Sequence, residues 1–96
     1  MQKQFYVYIL ASKRNGTLYV GVTSELMQRM YQHRTGAVEG FTKTYGVHLL
    51  VYFEVFEDSS SAIAREKLIK HWPRKKKLQV IEAQNPLWRD LYGSLA

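Results

Sequence analysis

Two stretches early in the chain, Phe5-Tyr6-Val7-Tyr8-Ile9-Leu10 and Thr17-Leu18-Tyr19-Val20-Gly21-Val22-Thr23, are rich in the aromatic and β-branched residues that suit a pleated, half-buried surface. Between them lies Ser12-Lys13-Arg14-Asn15-Gly16, whose Asn-Gly pair accepts positive φ at little steric cost and favours a tight reversal. The arrangement predicts a β-hairpin and commits the fold to a sheet. A two-residue Asn15-Gly16 turn sets Ser12 opposite Tyr19 and Tyr8 opposite Thr23. Tyr8 and Tyr19 then emerge on the same side.

The rest of the chain reads as helices around one more strand. Ser24 is placed to cap a helix from Glu25 to Arg34, with Glu25 at the positive end of its dipole and Gly36 just past its end. Leu26, Met30 and His33 share one face of it. Residues 36–46 read as a connection with room for a short helical turn. His48 to Phe56 is a third strand, and Asp58-Ser59-Ser60-Ser61 offers several N-caps for a helix from Ser61 to Trp72. Pro73 divides that helix from another over Arg74 to Ala83. The tail Asn85-Pro86-Leu87-Trp88-Arg89-Asp90-Leu91 begins with a break and is expected to pack its apolar residues on the sheet. Three strands are too few for a barrel. The expected fold is α+β, a small three-stranded antiparallel sheet flanked by helices, with residues 1–96 forming one domain.

Ninety-six residues support one hydrophobic core, and a composition 46% hydrophobic and 14% aromatic is that of a folded chain. With no cysteine, neither disulfides nor a thiolate zinc site holds it together. No apolar run spans a bilayer and no signal region precedes the first strand, so a cytoplasmic protein without membrane contact is expected. Lys and Arg outnumber Asp and Glu by 14 to 8, a net charge of +6, which suits a polyanionic partner but also ordinary solubility.

Four features stand out against ordinary packing. Tyr8 and Tyr19 share a surface, although strand tyrosines are usually packing residues. Arg29 and His33 lie one turn apart beside Leu26 and Met30, where a salt-bridged arginine and a buried histidine are the plain alternatives. Glu66 falls beside Ala62, Ile63 and Ile69 at the margin of an apolar stripe and needs a cation there, a hard metal ion or an arginine. On the same helix Arg65, Lys67 and Lys70 are freer to face solvent. Lys70-His71-Trp72-Pro73-Arg74-Lys75-Lys76-Lys77 is a basic run able to meet phosphates, as are Lys13 and Arg14 at the hairpin tip; the alternative is a solvated face. Trp72 and Trp88 read as core residues.

In order and spacing, Tyr6-Val7-Tyr8, Tyr19-Val20-Gly21 eleven positions after Tyr8, Arg29, His33 and Glu66 resemble the GIY-YIG nuclease superfamily. The helix Arg65-Glu66-Lys67-Leu68-Ile69-Lys70 and the Asn85–Leu91 tail look like its small stand-alone bacterial members. The first signature lacks its glycine. The resemblance implies a metal-dependent endonuclease acting on DNA with little sequence discrimination. Tyr8, Tyr19, Arg29 and His33 match its catalytic positions, Glu66 its ligand for one Mg²⁺ or Mn²⁺ ion, and Asn85 a late supporting asparagine. In that scheme Arg29 grips the phosphate, and Tyr8 takes a proton from water with a phenol pKa lowered by nearby cations. Lys13, Arg14, Lys70, Arg74, Lys75, Lys76 and Lys77 bind flanking DNA. The other reading is a nucleic-acid-binding module of the same fold with little activity alone, or one that needs a protein partner.

Overall fold

Strand β1 (Phe5–Ala11) is central because both its faces are apolar: Val7, Ile9 and Ala11 are buried on one, Tyr8 and Leu10 on the other. A computed structural model describes residues 3–37 and 40–95 of the chain. Strand β2 (Leu18–Thr23) and strand β3 (Leu49–Phe56) pair antiparallel with the two edges of β1, in the order β2-β1-β3. A β-bulge interrupts the β1–β3 register after Ile9, so Val51 and Tyr52 both join the side of Val7 and Ile9.

Helix α1 (Leu26–Thr35) lays Leu26, Met30 and His33 against the Tyr8 face. A single turn, α2 (Phe41–Thr44), follows it. Helices α3 (Ser59–His71) and α4 (Arg74–Gln84) cover the other face through Ala62, Ile69 and Ile81. The sheet is therefore flanked by helices on both faces, as expected. The tail passes from one layer to the other: Trp88 packs under α4, whereas the 3-10 turn Leu91–Ser94 packs on the α1 side. An Arg34–Asp90 ion pair fastens the tail to α1. Among the described residues no helix is long and apolar enough to cross a membrane.

Several local expectations are corrected. The hairpin register places Tyr8 opposite Gly21 and Leu10 opposite Tyr19. A two-residue turn of the favoured kind needs positive φ at both central residues, and Asn15 adopts it (59°) whereas Gly16 does not. The loop instead spans residues 12–17, closed by Ser12 N–H donating to the Thr17 carbonyl at 3.0 Å. The slip is two residues, the side-chain period, so Tyr8 and Tyr19 still share a face. The N-cap of α1 is Glu25 rather than Ser24, with no side-chain cap, and Thr23 Oγ1 accepts from the Glu25 N–H. At α3 the cap is Asp58, which accepts from Ser61 N–H at 2.7 Å. Arg65 does not face solvent freely: it forms a two-pronged ion pair with Glu54 at 2.9 and 3.0 Å, tying α3 to β3. Ile63 is 43% exposed, so the apolar stripe of α3 is narrower than its sequence suggests.

Candidate active site

Tyr8 lies across the sheet toward β2, and Gly21 makes room for it. A Cβ built at Gly21 falls 2.4 Å from the Tyr8 hydroxyl and 2.5 Å from Cζ, so any larger residue collides with the phenol. The requirement at the third position of Tyr19-Val20-Gly21 is thus a close approach of ring to backbone. Tyr19, two residues earlier on the same face, brings its ring to 6.4 Å from that of Tyr8. His33 reaches down from α1 with ring centroids 6.2 Å from Tyr8 and 5.9 Å from Tyr19. Its Nε2 is 3.5 Å from the Tyr8 hydroxyl.

The other ring nitrogen, Nδ1, is 3.1 Å from Thr42 Oγ1, and Thr42 is itself buried. Sequence reasoning missed Thr42. A four-residue helical turn has no periodicity to reveal its inner face, and the only signal was a threonine among aromatics nine residues after His33. With one nitrogen engaged by a hydroxyl, the ring is held in orientation.

Burial, then the neighbouring Tyr19, pushes the Tyr8 phenol well above its ordinary range; Arg29 opposes this and Glu66 adds to it. In the protein by itself, removal from water outweighs the nearby guanidinium. Burial first and Arg29 second hold the His33 imidazole below its ordinary 6.5. His33 is neutral at pH 7 and able to accept a proton.

Arg29 is half-buried on α1 and lines a polar cleft of roughly 270 Å³ with Thr23, Glu25, Gln28 and Gln32. Its Nη1 donates to Gln32 Oε1 at 3.5 Å, and among the described residues it has no carboxylate within ion-pair distance. The salt-bridged alternative for Arg29 thus finds no partner among the described residues. Glu66 comes from α3 in the opposite layer, close enough for its charge to act on Tyr8, and is only 8% exposed. Lys70, one turn later, lies 2.9 Å from Glu66 Oε2. The cation that the buried Glu66 needs is supplied here by Lys70, not by an arginine. The described residues hold no cluster of three or more His, Cys, Asp or Glu side chains. Glu66 is thus a lone carboxylate, and an ion held there would take the rest of its ligands from water, as a hard, reluctantly dehydrated cation does.

Other nominated residues lie elsewhere or are engaged. Asn85 donates to the carbonyls of Val51 (3.1 Å) and Arg89 (2.8 Å) and accepts from Arg89 N–H (3.0 Å). It closes the turn in which Trp88 is held at φ 55°, and no contact links it to Tyr8 or Glu66. Arg74 Nη2 donates to the carbonyls of Asn15 and Gly16, both at 2.7 Å, which brings the hairpin tip against the start of α4. Lys13, Arg14 and Lys75 are thereby gathered at one end, all exposed. Lys76 sits 4.4 Å over the Trp72 ring, whose half-buried indole also meets Arg65. Lys77 donates to the Lys70 carbonyl at 3.2 Å.

Residues 4–79 match the family model described as the GIY-YIG catalytic domain, a span that holds Tyr8, Tyr19, Arg29, His33 and Glu66 but not Asn85. The chain is 39% identical over 84 residues to a UPF0213 protein of Oceanobacillus iheyensis, covering 88% of this chain and 96% of that one. It is 41% identical over 80 residues to a UPF0213 protein of Clostridium perfringens, covering 83% and 85%. A solution NMR structure of a UPF0213 protein from Bacillus halodurans aligns with a TM-score of 0.57 at 29% identity, over 91% of this chain and 92% of that one.

Proposed function

This chain belongs to the GIY-YIG family, a superfamily of nucleases, and on that premise we propose that it is a metal-dependent endonuclease hydrolysing phosphodiester bonds in DNA with little sequence discrimination. The observation that carries the reading is a convergence. A buried phenol–imidazole pair feels both an arginine that, among the described residues, has no carboxylate partner and a buried carboxylate paired with a lysine.

Phosphodiester hydrolysis needs an activated water, neutralisation of charge growing on the phosphoryl oxygens, and a site that holds both in place. Arg29, whose fork meets a neutral amide at 3.5 Å, binds two phosphoryl oxygens at once, which an ammonium does not reproduce. Glu66 would hold one Mg²⁺ or Mn²⁺ ion in place of its present partner Lys70, and the ion would supply Lewis-acid stabilisation of the phosphoryl charge. Tyr8 takes the proton of the attacking water only if its own phenol proton leaves, since burial opposes a lone phenolate. His33 Nε2, 3.5 Å from the phenol, is the acceptor at hand in the tautomer that carries its proton on Nδ1, beside Thr42 Oγ1. Tyr19, its ring about as near to Tyr8 as to His33, orients the water and phosphate.

The test is nicking of supercoiled plasmid with Mg²⁺ or Mn²⁺ against the same reaction in EDTA, for the parent and for Glu66→Ala. The parent is expected to nick only with metal, and Glu66→Ala to be inactive while melting like the parent. A parent that binds DNA yet never cuts it under either ion overturns the enzyme and leaves the binding module.

A further inference from the structure

Helical turn α2 is inside out for a packing element. It buries its threonine, Thr42, against His33 and leaves the large rings of Phe41 and Tyr45 at 45% and 57% exposure. The rings are not scattered. Phe41 lies near-parallel to Tyr19, at 6.2 Å and 27°, and Tyr45 follows 4.7 Å from Phe41. Together they continue the row that begins at Tyr8 and His33, so an aromatic strip runs from the buried site out into solvent. A contiguous exposed apolar strip of this kind marks an interaction surface.

We propose that Phe41 and Tyr45 form a stacking shelf for an unpaired nucleobase of the strand being cut, a proposal that rests on the nuclease reading of the site. The inner end of the strip, Tyr19, stands beside the residues assigned to the reacting phosphate, so whatever covers the outer end is joined to that phosphate. The strip offers flat π-faces, which match a planar ligand, and the chain carries a net charge of +6, which matches a polyanion. Within a duplex both faces of every base are covered by its neighbours. Only a base in a single-stranded stretch, or one turned out of the helix, has a face to lay on Phe41 or Tyr45. Every base has such a face, so the shelf selects strandedness without selecting sequence.

Fluorescence anisotropy in EDTA, with a labelled oligonucleotide single-stranded and annealed to its complement, tests this on the parent, Phe41→Leu, Tyr45→Leu and Tyr45→Trp. Leucine keeps apolar bulk and removes the π-face; tryptophan keeps it. Each leucine variant is expected to bind the single strand roughly tenfold more weakly, with duplex affinity unchanged, and Tyr45→Trp to bind like the parent. Tyr45 is the more exposed ring, so its variants keep the test valid should Phe41→Leu lower the melting temperature. Leucine variants that hold the single strand as tightly as a parent that binds and cuts overturn the shelf and leave the nuclease standing. Equal losses on both substrates overturn the preference for an unpaired base. A parent that neither binds nor cuts any oligonucleotide overturns the shelf and the nuclease together, and leaves the strip to a protein partner.

Discussion

At Gly21 the missing side chain is as informative as the side chains around it, because the Tyr8 phenol fills the space a methyl group would take. Gly21→Ala is expected to displace a ring that is 2% exposed, at about 1–3 kcal/mol. For a chain of this size that lowers the melting temperature by several degrees, and cleavage should fall by more than the loss of folded protein explains. Unchanged melting and cleavage would remove the steric argument. His33 provides a second measurable quantity. Its folded pKa lies below the ordinary 6.5, so between those two values the unfolded chain binds a proton that the folded one refuses. Stability is therefore complete above about pH 6.5 and is lost as pH falls through the folded value. Urea unfolding at a series of pH values should show that slope in the parent and a flatter one in His33→Asn; equal slopes would mean that His33 is not the group responsible. Thr42 had no legible role in the sequence, since what defines it is a contact made across a loop.

Elements were more legible than the joints between them. The strand and helix segments follow from composition, period and breakers, and Leu26, Met30 and His33 do face the core together. The hairpin register was not legible, because it depends on which of Asn15 and Gly16 takes positive φ. Nor was the pairing of Arg65 with Glu54, eleven residues away on another element. Of the candidate site, the residues from β1, β2 and α1 are brought together as their spacing implied, whereas the wetter basic run is partly absorbed by structure. Arg74 is the clearest case, its guanidinium joining α4 to the hairpin tip. Arg74→Met should destabilise the protein by about 1 kcal/mol, the discount on a charged hydrogen bond reflecting solvent exposure, and speed amide exchange in residues 12–17. If amide exchange in the loop does not change, Arg74 is free to be read as a phosphate ligand alone.

For the whole molecule, the gathering of Lys13, Arg14 and Lys75 at one end makes a measurable electrostatic claim. Each phosphate contact on duplex DNA contributes about 0.9 to the slope of log affinity against log salt, so replacing all three with Gln should flatten the slope by about 2–3. The weakening should be the same for every sequence. A slope that does not move would make this end a solvated face. The division of β1 sets a different kind of constraint. Odd-numbered residues of that strand belong to the layer under α3 and α4, and even-numbered ones to the layer of the site. The length of β1 is thus a matter of parity: removal of a single residue at its C-terminal end exchanges the roles of all those before it, turning Tyr6 and Tyr8 toward α3 and α4 and Val7 toward α1. In a scan of single-residue deletions, loss within residues 12–17 should leave folded protein more often than loss within Phe5–Ala11, where one missing peptide unit damages two layers at once.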